Sequence, residues 1–143
     1  MPHLQPVGDQ YVPDASPVTP VETGSGAYQE LTQGVSLRLG TLRSGAPDVM
    51  KSFGDLGRFS MASGALDKKT KELMALALGV AAHCDPCIGY HMQTLVKLGV
   101  SRQELDETLG VAVYMGGGPS LMYAANAIAA FDEFSGTVVT QGK

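Results

Sequence analysis

Residues 67–100, DKKTKELMALALGVAAHCDPCIGYHMQTLVKLGV, decide the fold. Asp67 carries the short carboxylate that suits a helix N-cap, and the segment after it, through His83, reads as helix. Pro86 steers the residue before it, Asp85, away from helical geometry. This predicts a hinge at residues 83–85 and a second helix from Pro86 to Leu98. Gly99 then stands where a helix end takes a glycine. The stretch therefore reads as two helices folded back on one another, with both cysteines of the chain at the bend.

The flanks continue the helical pattern. Downstream, Ser101-Arg-Gln-Glu104 is a capping box for a helix that runs to about Met115. Gly116-Gly117-Gly118 predicts a turn, and Pro119 opens a last helix. The triplet is not a phosphate loop, because it follows a helix and lacks the Lys-Ser/Thr pair. Upstream, residues 27–45 carry apolar side chains at 28, 31, 35, 39 and 42, the three-and-four spacing of a helix face. Pro47 opens a shorter helix with Val49, Met50, Phe53 and Leu56 apolar. Nowhere does an alternating strand pattern occur. The expectation is an all-α, compact bundle of about six helices over residues 27–135. A Pro-rich extended or disordered arm (1–26) would precede it and a tail (136–143) follow it.

The last helix is nearly devoid of a polar face: Leu121, Met122, Ala124, Ala125, Ala127, Ile128, Ala129, Ala130 and Phe131 leave no side for water. A helix apolar all round needs cover on most sides. Six short helices offer too little, so a homo-oligomer with this helix near the interface is expected. Tyr90 and Tyr114 read as core aromatics.

Composition narrows the function. The 143 residues suffice for one domain with a real core; 44% are apolar and 17% charged, with a net charge of −4. The ten basic residues are scattered, and the one cluster, Lys68, Lys69 and Lys71, reads as a solvated helix face, so no nucleic-acid partner is expected. The first 26 residues lack a secretory signal, and no apolar run reaches membrane-spanning length. Two cysteines in such a chain point to a reducing cytoplasm, where a close pair is catalytic or metal-binding more often than structural.

Three readings fit HCDPCIGYH, residues 83–91. The cysteines can be inert core residues. With His91 and Glu72 they can ligate zinc, although structural zinc sites usually draw ligand pairs from separate elements. Or they form a redox dithiol at a helix N-terminus, where free amides and the helix dipole favour thiolate. On this third reading His91, four residues after Cys87, is its neighbour on one helix face. Cys84 lies seven residues from His91, too far for a hydrogen bond, and Asp85 beside it disfavours a thiolate. Cys87 is then the attacking sulfur, His91 its proton partner and Cys84 the resolving thiol. Glu72, on the preceding helix, falls within about one turn (~6 Å) of His91 once the hairpin folds. A carboxylate there would hold the imidazole's tautomer.

Glu72, eleven intervening residues, Cys84-x-x-Cys87 and x-x-x-His91 together resemble the alkylhydroperoxidase D-like branch of the carboxymuconolactone decarboxylase family. The resemblance spans about Asp67 to Phe134, including the Gly99-Val100 helix end and Asn126 on the last helix. It implies an all-helical fold assembled as trimers or hexamers. It also implies a thiol-dependent peroxidase or disulfide oxidoreductase that reduces hydroperoxides, with Glu72 and His91 as proton relay and Cys84–Cys87 as the redox-active disulfide. No bound cofactor or metal is implied; an external dithiol, lipoyl-type in some members, is the reductant. Where the best-known members carry a histidine between the cysteines, this chain has Asp85-Pro86, and His83 just outside is a possible accessory. Two alternatives stand beside this reading. One is a decarboxylating lyase like the family's namesake; the other is a non-catalytic oligomeric redox or metal-binding module.

Overall fold

The computed structural model describes residues 26–140, with side chains through Gly136. The expected arm at 1–26 thus lies outside the described residues except for Gly26. Five helices follow in order: α1 (Ala27–Gly45), α2 (Pro47–Ser60), α3 (Lys68–Ala81), α4 (Asp85–Lys97) and α5 (Arg102–Thr140). Among the described residues there is no strand. No helix among them is long and apolar enough to cross a membrane.

Helices α3, α4 and α5 pack on one another and hold the core. Leu76 and Val80 of α3, Ile88, Met92 and Leu95 of α4, and Leu105, Ala127 and Ala130 of α5 are fully buried. The start and stop signals work as read. Asp67 Oδ1 accepts from the Thr70 N–H at 2.7 Å. Ser101 and Glu104 satisfy each other's backbone N–H groups. The Lys cluster is less idle than expected. Lys71 Nζ donates to Ser60 O at the end of α2 and to Ala62 O just past it, and Lys69 pairs with Glu104 at 2.7 Å.

Two details differ from the expectation. The count is five spans because α5 comprises two helices that run into one another at the glycine triplet, where the expected turn and the expected last helix are both found. The axis is broken at Gly117, whose φ of 71° and ψ of −154° are non-helical. That conformation is open to glycine and strained for any other residue. Helix α4 begins one residue early, at Asp85, because the bend lies at residues 82–84. The bend itself is made by His83, left-handed at φ 56°. Its N–H reaches Val80 O and the Cys84 N–H reaches Gly79 O, the paired bonds of a Schellman cap. A histidine in the glycine position of that cap gave no signal in the sequence.

Helix α1 lies against α4 at Gly89. A Cβ there would meet Thr32 Cγ2 at 2.7 Å and Tyr28 Cδ1 at 3.2 Å. Thr32 is itself buried, so neither helix has room to yield. Gly89→Ala gains the usual ~1 kcal/mol of helix propensity but forces α1 off its seat, at ~1–3 kcal/mol for overpacking. We expect a net loss of up to about 2 kcal/mol, read as a lower urea midpoint with an unchanged slope.

Helix α2 buries no residue; it packs along α1, and its end is tied to α3 through Lys71. Val49, Phe53, Leu56 and Phe59 stand out from it, Phe53 at 71% exposure. The last helix is likewise open on one side: Leu121 and Met122 are exposed, as are Met115 and Tyr114 before the break. Tyr114, expected in the core, is 86% exposed. Its helix turns that position outward, since Leu109 and Ala112 already fill the inner face.

Candidate functional site

The hairpin bend brings the cysteines to the start of α4. Cys84 is the N-cap residue, and the Cys87 N–H points at its Sγ across 3.3 Å. The two sulfurs are joined as a disulfide, with Cα atoms 5.2 Å apart. Both cysteines are half-buried. Cys87 faces α3 closely: a Cβ on Gly79 would lie 3.3 Å from Cys87 Cβ.

One turn along α4, His91 turns toward the same helix. Its Nδ1 lies 2.7 Å from Oε2 of Glu72. The axial offset counted from the sequence does not keep the two apart. Glu72 is 6% exposed, while about a third of His91 remains open. With Nδ1–H donating to the carboxylate, Nε2 is the nitrogen left to take up or release a proton. A buried acid, a half-open imidazole and a sulfur one turn before it thus share one face of the hairpin.

The zinc arrangement weighed from the sequence asks Cys84, Cys87, His91 and Glu72 to converge on one point. Among the described residues no three such side chains are grouped to hold a metal ion. His83, the possible accessory, lies with its ring stacked on Tyr123 of α5, centroids 4.8 Å apart and 13° between planes. Tyr90 turns the other way, toward α1. Its hydroxyl donates to Thr32 O at 2.8 Å and also meets Ser36 Oγ. There it lines a groove of about 520 Å³ with Gln33, Ser36 and Gln93.

The structure adds a cluster with no signature in the sequence. Asp85, between the cysteines, accepts from Tyr28 Oη at 2.9 Å and from Asn126 Nδ2 at 3.1 Å on the same oxygen, Oδ1. Burial, and then the bond to Asp85, push the Tyr28 phenol well above its ordinary range, so it stays a donor. Helix α1 is fixed over this point, because Glu133 of α5 accepts from the N–H groups of Tyr28 and Gln29. A cavity of about 230 Å³ opens beside Asp85, lined by Ala27, Tyr28, Leu31 and Asn126. Tyr28 lies 57 residues from Asp85 and Asn126 lies 41 away, so no local pattern links them.

Comparison with known proteins agrees with this architecture. Residues 47–130 match the profile of the carboxymuconolactone decarboxylase family. An apo crystal structure of a family member from Legionella pneumophila superposes with a TM-score of 0.74 at 56% identity, over 76% of this chain and 96% of that one. A second member, from Thermotoga maritima, is described as having a suggested part in an antioxidative response. It superposes with a TM-score of 0.71 at 28% identity, over 79% of this chain and 97% of that one. An uncharacterized protein of Cupriavidus necator is 35% identical over 98 residues, 68% of this chain and 87% of its own length. The helical hairpin with its paired cysteines is thus set in a shared fold, and the chain belongs to the carboxymuconolactone decarboxylase family.

Proposed function

We propose that the protein is a thiol-dependent peroxidase of the disulfide-oxidoreductase type, acting through Cys87, Cys84, His91 and Glu72. The observation that carries this reading is the Glu72–His91 contact, one turn beyond a cysteine pair at a helix N-terminus. In the reduced protein His91 takes the Cys87 proton, and the thiolate attacks the outer oxygen of a hydroperoxide. The O–O bond breaks, Cys87 becomes a sulfenic acid, and the leaving oxygen departs as an alcohol with the proton returned by His91. Cys84 then bonds to the Cys87 sulfur and water is released. An external dithiol, such as a dihydrolipoyl group, reduces the disulfide by exchange and is itself oxidised. No bound metal or organic cofactor takes part, and the cycle suits a reducing compartment such as the cytoplasm.

Ionisation sets the rate. A thiol with an ordinary pKa near 8.5 is ~3% thiolate at pH 7, while one lowered to near 7 is about half ionised. The test is a single turnover of the reduced protein. One equivalent of hydroperoxide should give one alcohol and one Cys84–Cys87 disulfide, and a dithiol should restore both thiols. An alkylation pKa for Cys87 no lower than that of a free thiol, together with no consumption of hydrogen peroxide or an organic hydroperoxide, overturns the reading.

The same proposal includes self-association, as a trimer or hexamer of this chain. The open faces of α2 and α5 expose Val49, Phe53, Leu121 and Met122. Patches of this kind on one small domain call for cover, and a second copy supplies it. Phe53→Lys should shift sedimentation toward the monomer. A native protein that sediments as a monomer at micromolar concentration removes this part of the proposal.

A further inference from the structure

The start of α4 poses a conflict of charge. Cys84 is the N-cap residue and faces the Cys87 N–H, a position that favours a thiolate. By helix geometry alone, the first sulfur would ionise at least as readily as the second. If the reading of Cys87 as nucleophile holds, something else must set the order of the two.

Asp85 is the only carboxylate in the cysteine loop, and it is held rather than loose. Tyr28 on α1 and Asn126 on α5 both donate to its Oδ1. Both donors are uncharged. Among the described residues no lysine, arginine or histidine pairs with Asp85. The carboxylate is therefore fixed in place with no cationic side chain paired to it. The other titratable groups nearest this point are His83 in the bend, Glu72 on α3, His91 on α4, and Tyr123 and Glu133 on α5, where Glu133 accepts from the Tyr28 and Gln29 N–H groups. His83 is stacked on Tyr123, and Glu72 is spent on His91.

We propose that Asp85, stapled by Tyr28 and Asn126, is a positioning residue of the redox pair: its charge keeps Cys84 protonated as the resolving thiol and leaves Cys87 as the sulfur that ionises. This deepens the functional reading above and rests on it. In the resolving step Cys84 gives up its proton only as its sulfur bonds to the Cys87 sulfenic sulfur and water leaves, so a protonated Cys84 is what the cycle needs. Tyr28 lies outside residues 47–130, the stretch that matches the family profile.

The test separates the two thiols and uses no hydroperoxide. Alkylation against pH is followed for Cys84 in a Cys87→Ser background and for Cys87 in a Cys84→Ser background, each with and without Asp85→Asn. The asparagine keeps an oxygen for both donors and removes the charge. The Cys84 pKa should fall by about one unit, a roughly tenfold rise in thiolate below it, and the Cys87 pKa should fall by less. Tyr28→Phe loosens the staple but keeps the charge, so it should leave the Cys84 pKa unchanged or higher. If Asp85→Asn does not fold, Asp85→Ser removes the same charge and carries the same expectation. A Cys84 pKa that does not move on loss of the charge, or that falls equally in Tyr28→Phe, overturns the proposal. Because no turnover is measured, a protein that consumes no hydroperoxide would sink the functional reading and leave this titration interpretable by itself.

Discussion

Cys87→Ser is expected to abolish hydroperoxide reduction, by at least about a thousandfold, while Cys84→Ser keeps a single round of it. The asymmetry follows from where each sulfur sits. Cys87 stands one turn before His91 and faces α3, the helix that supplies Glu72. A serine hydroxyl there has no accessible anion near neutral pH, so the relay has nothing to activate. In Cys84→Ser the attacking sulfur and its relay remain. One equivalent of hydroperoxide should be consumed, and a sulfenic acid at Cys87 should be trapped by a dimedone-type reagent and counted by mass spectrometry. Turnover with a dithiol donor should slow, since the intramolecular disulfide can no longer form. The reverse pattern, with sulfenic acid trapped at Cys84 and a full first round in Cys87→Ser, would exchange the two roles. It would also place the N-cap sulfur in command.

Much of this arrangement is legible in the sequence, and the reasons are physical. Asp67, the Ser101–Glu104 box and Gly99 are local devices whose partners lie within a few residues, so sequence spacing alone places them. The Glu72–His91 contact was reachable because a hairpin fixes the approximate register of its two arms. What escaped depends on distant packing or on an exception to a propensity. His83 takes a left-handed conformation usually left to glycine, and the Schellman bonds around it pay that cost. Tyr28 reaches Asp85 only because Gly89 lets α1 settle onto α4 and Glu133 fastens the α1 end. None of these three contacts has a short-range signature.

Glu72→Gln is expected to lower the rate of hydroperoxide attack about a hundredfold at pH 7 and to leave a diagnostic pH profile. The substitution keeps the length of the side chain and an oxygen for the His91 Nδ1–H, so the hairpin should stay folded. It removes the charge that supports the imidazole as a base. If Cys87 then returns from a pKa near 7 to the ordinary 8.5, its thiolate fraction at pH 7 drops about fifteenfold. The remaining part of the loss is weaker proton return to the departing oxygen. Raising the pH to about 9 should restore the ionisation part, since the thiol then ionises without help, and should not restore the rest. His91→Ala makes a sharper contrast. It deletes the proton carrier and leaves Glu72, 6% exposed, without its partner. An unpaired carboxylate so placed costs about 2 kcal/mol after allowance for the open side of the site. A lower melting temperature should therefore accompany the lost activity in His91→Ala but not in Glu72→Gln. Equal rates for Glu72→Gln and native protein at pH 7 would show that the acid serves the fold alone, and the sulfur would need another source of its acidity.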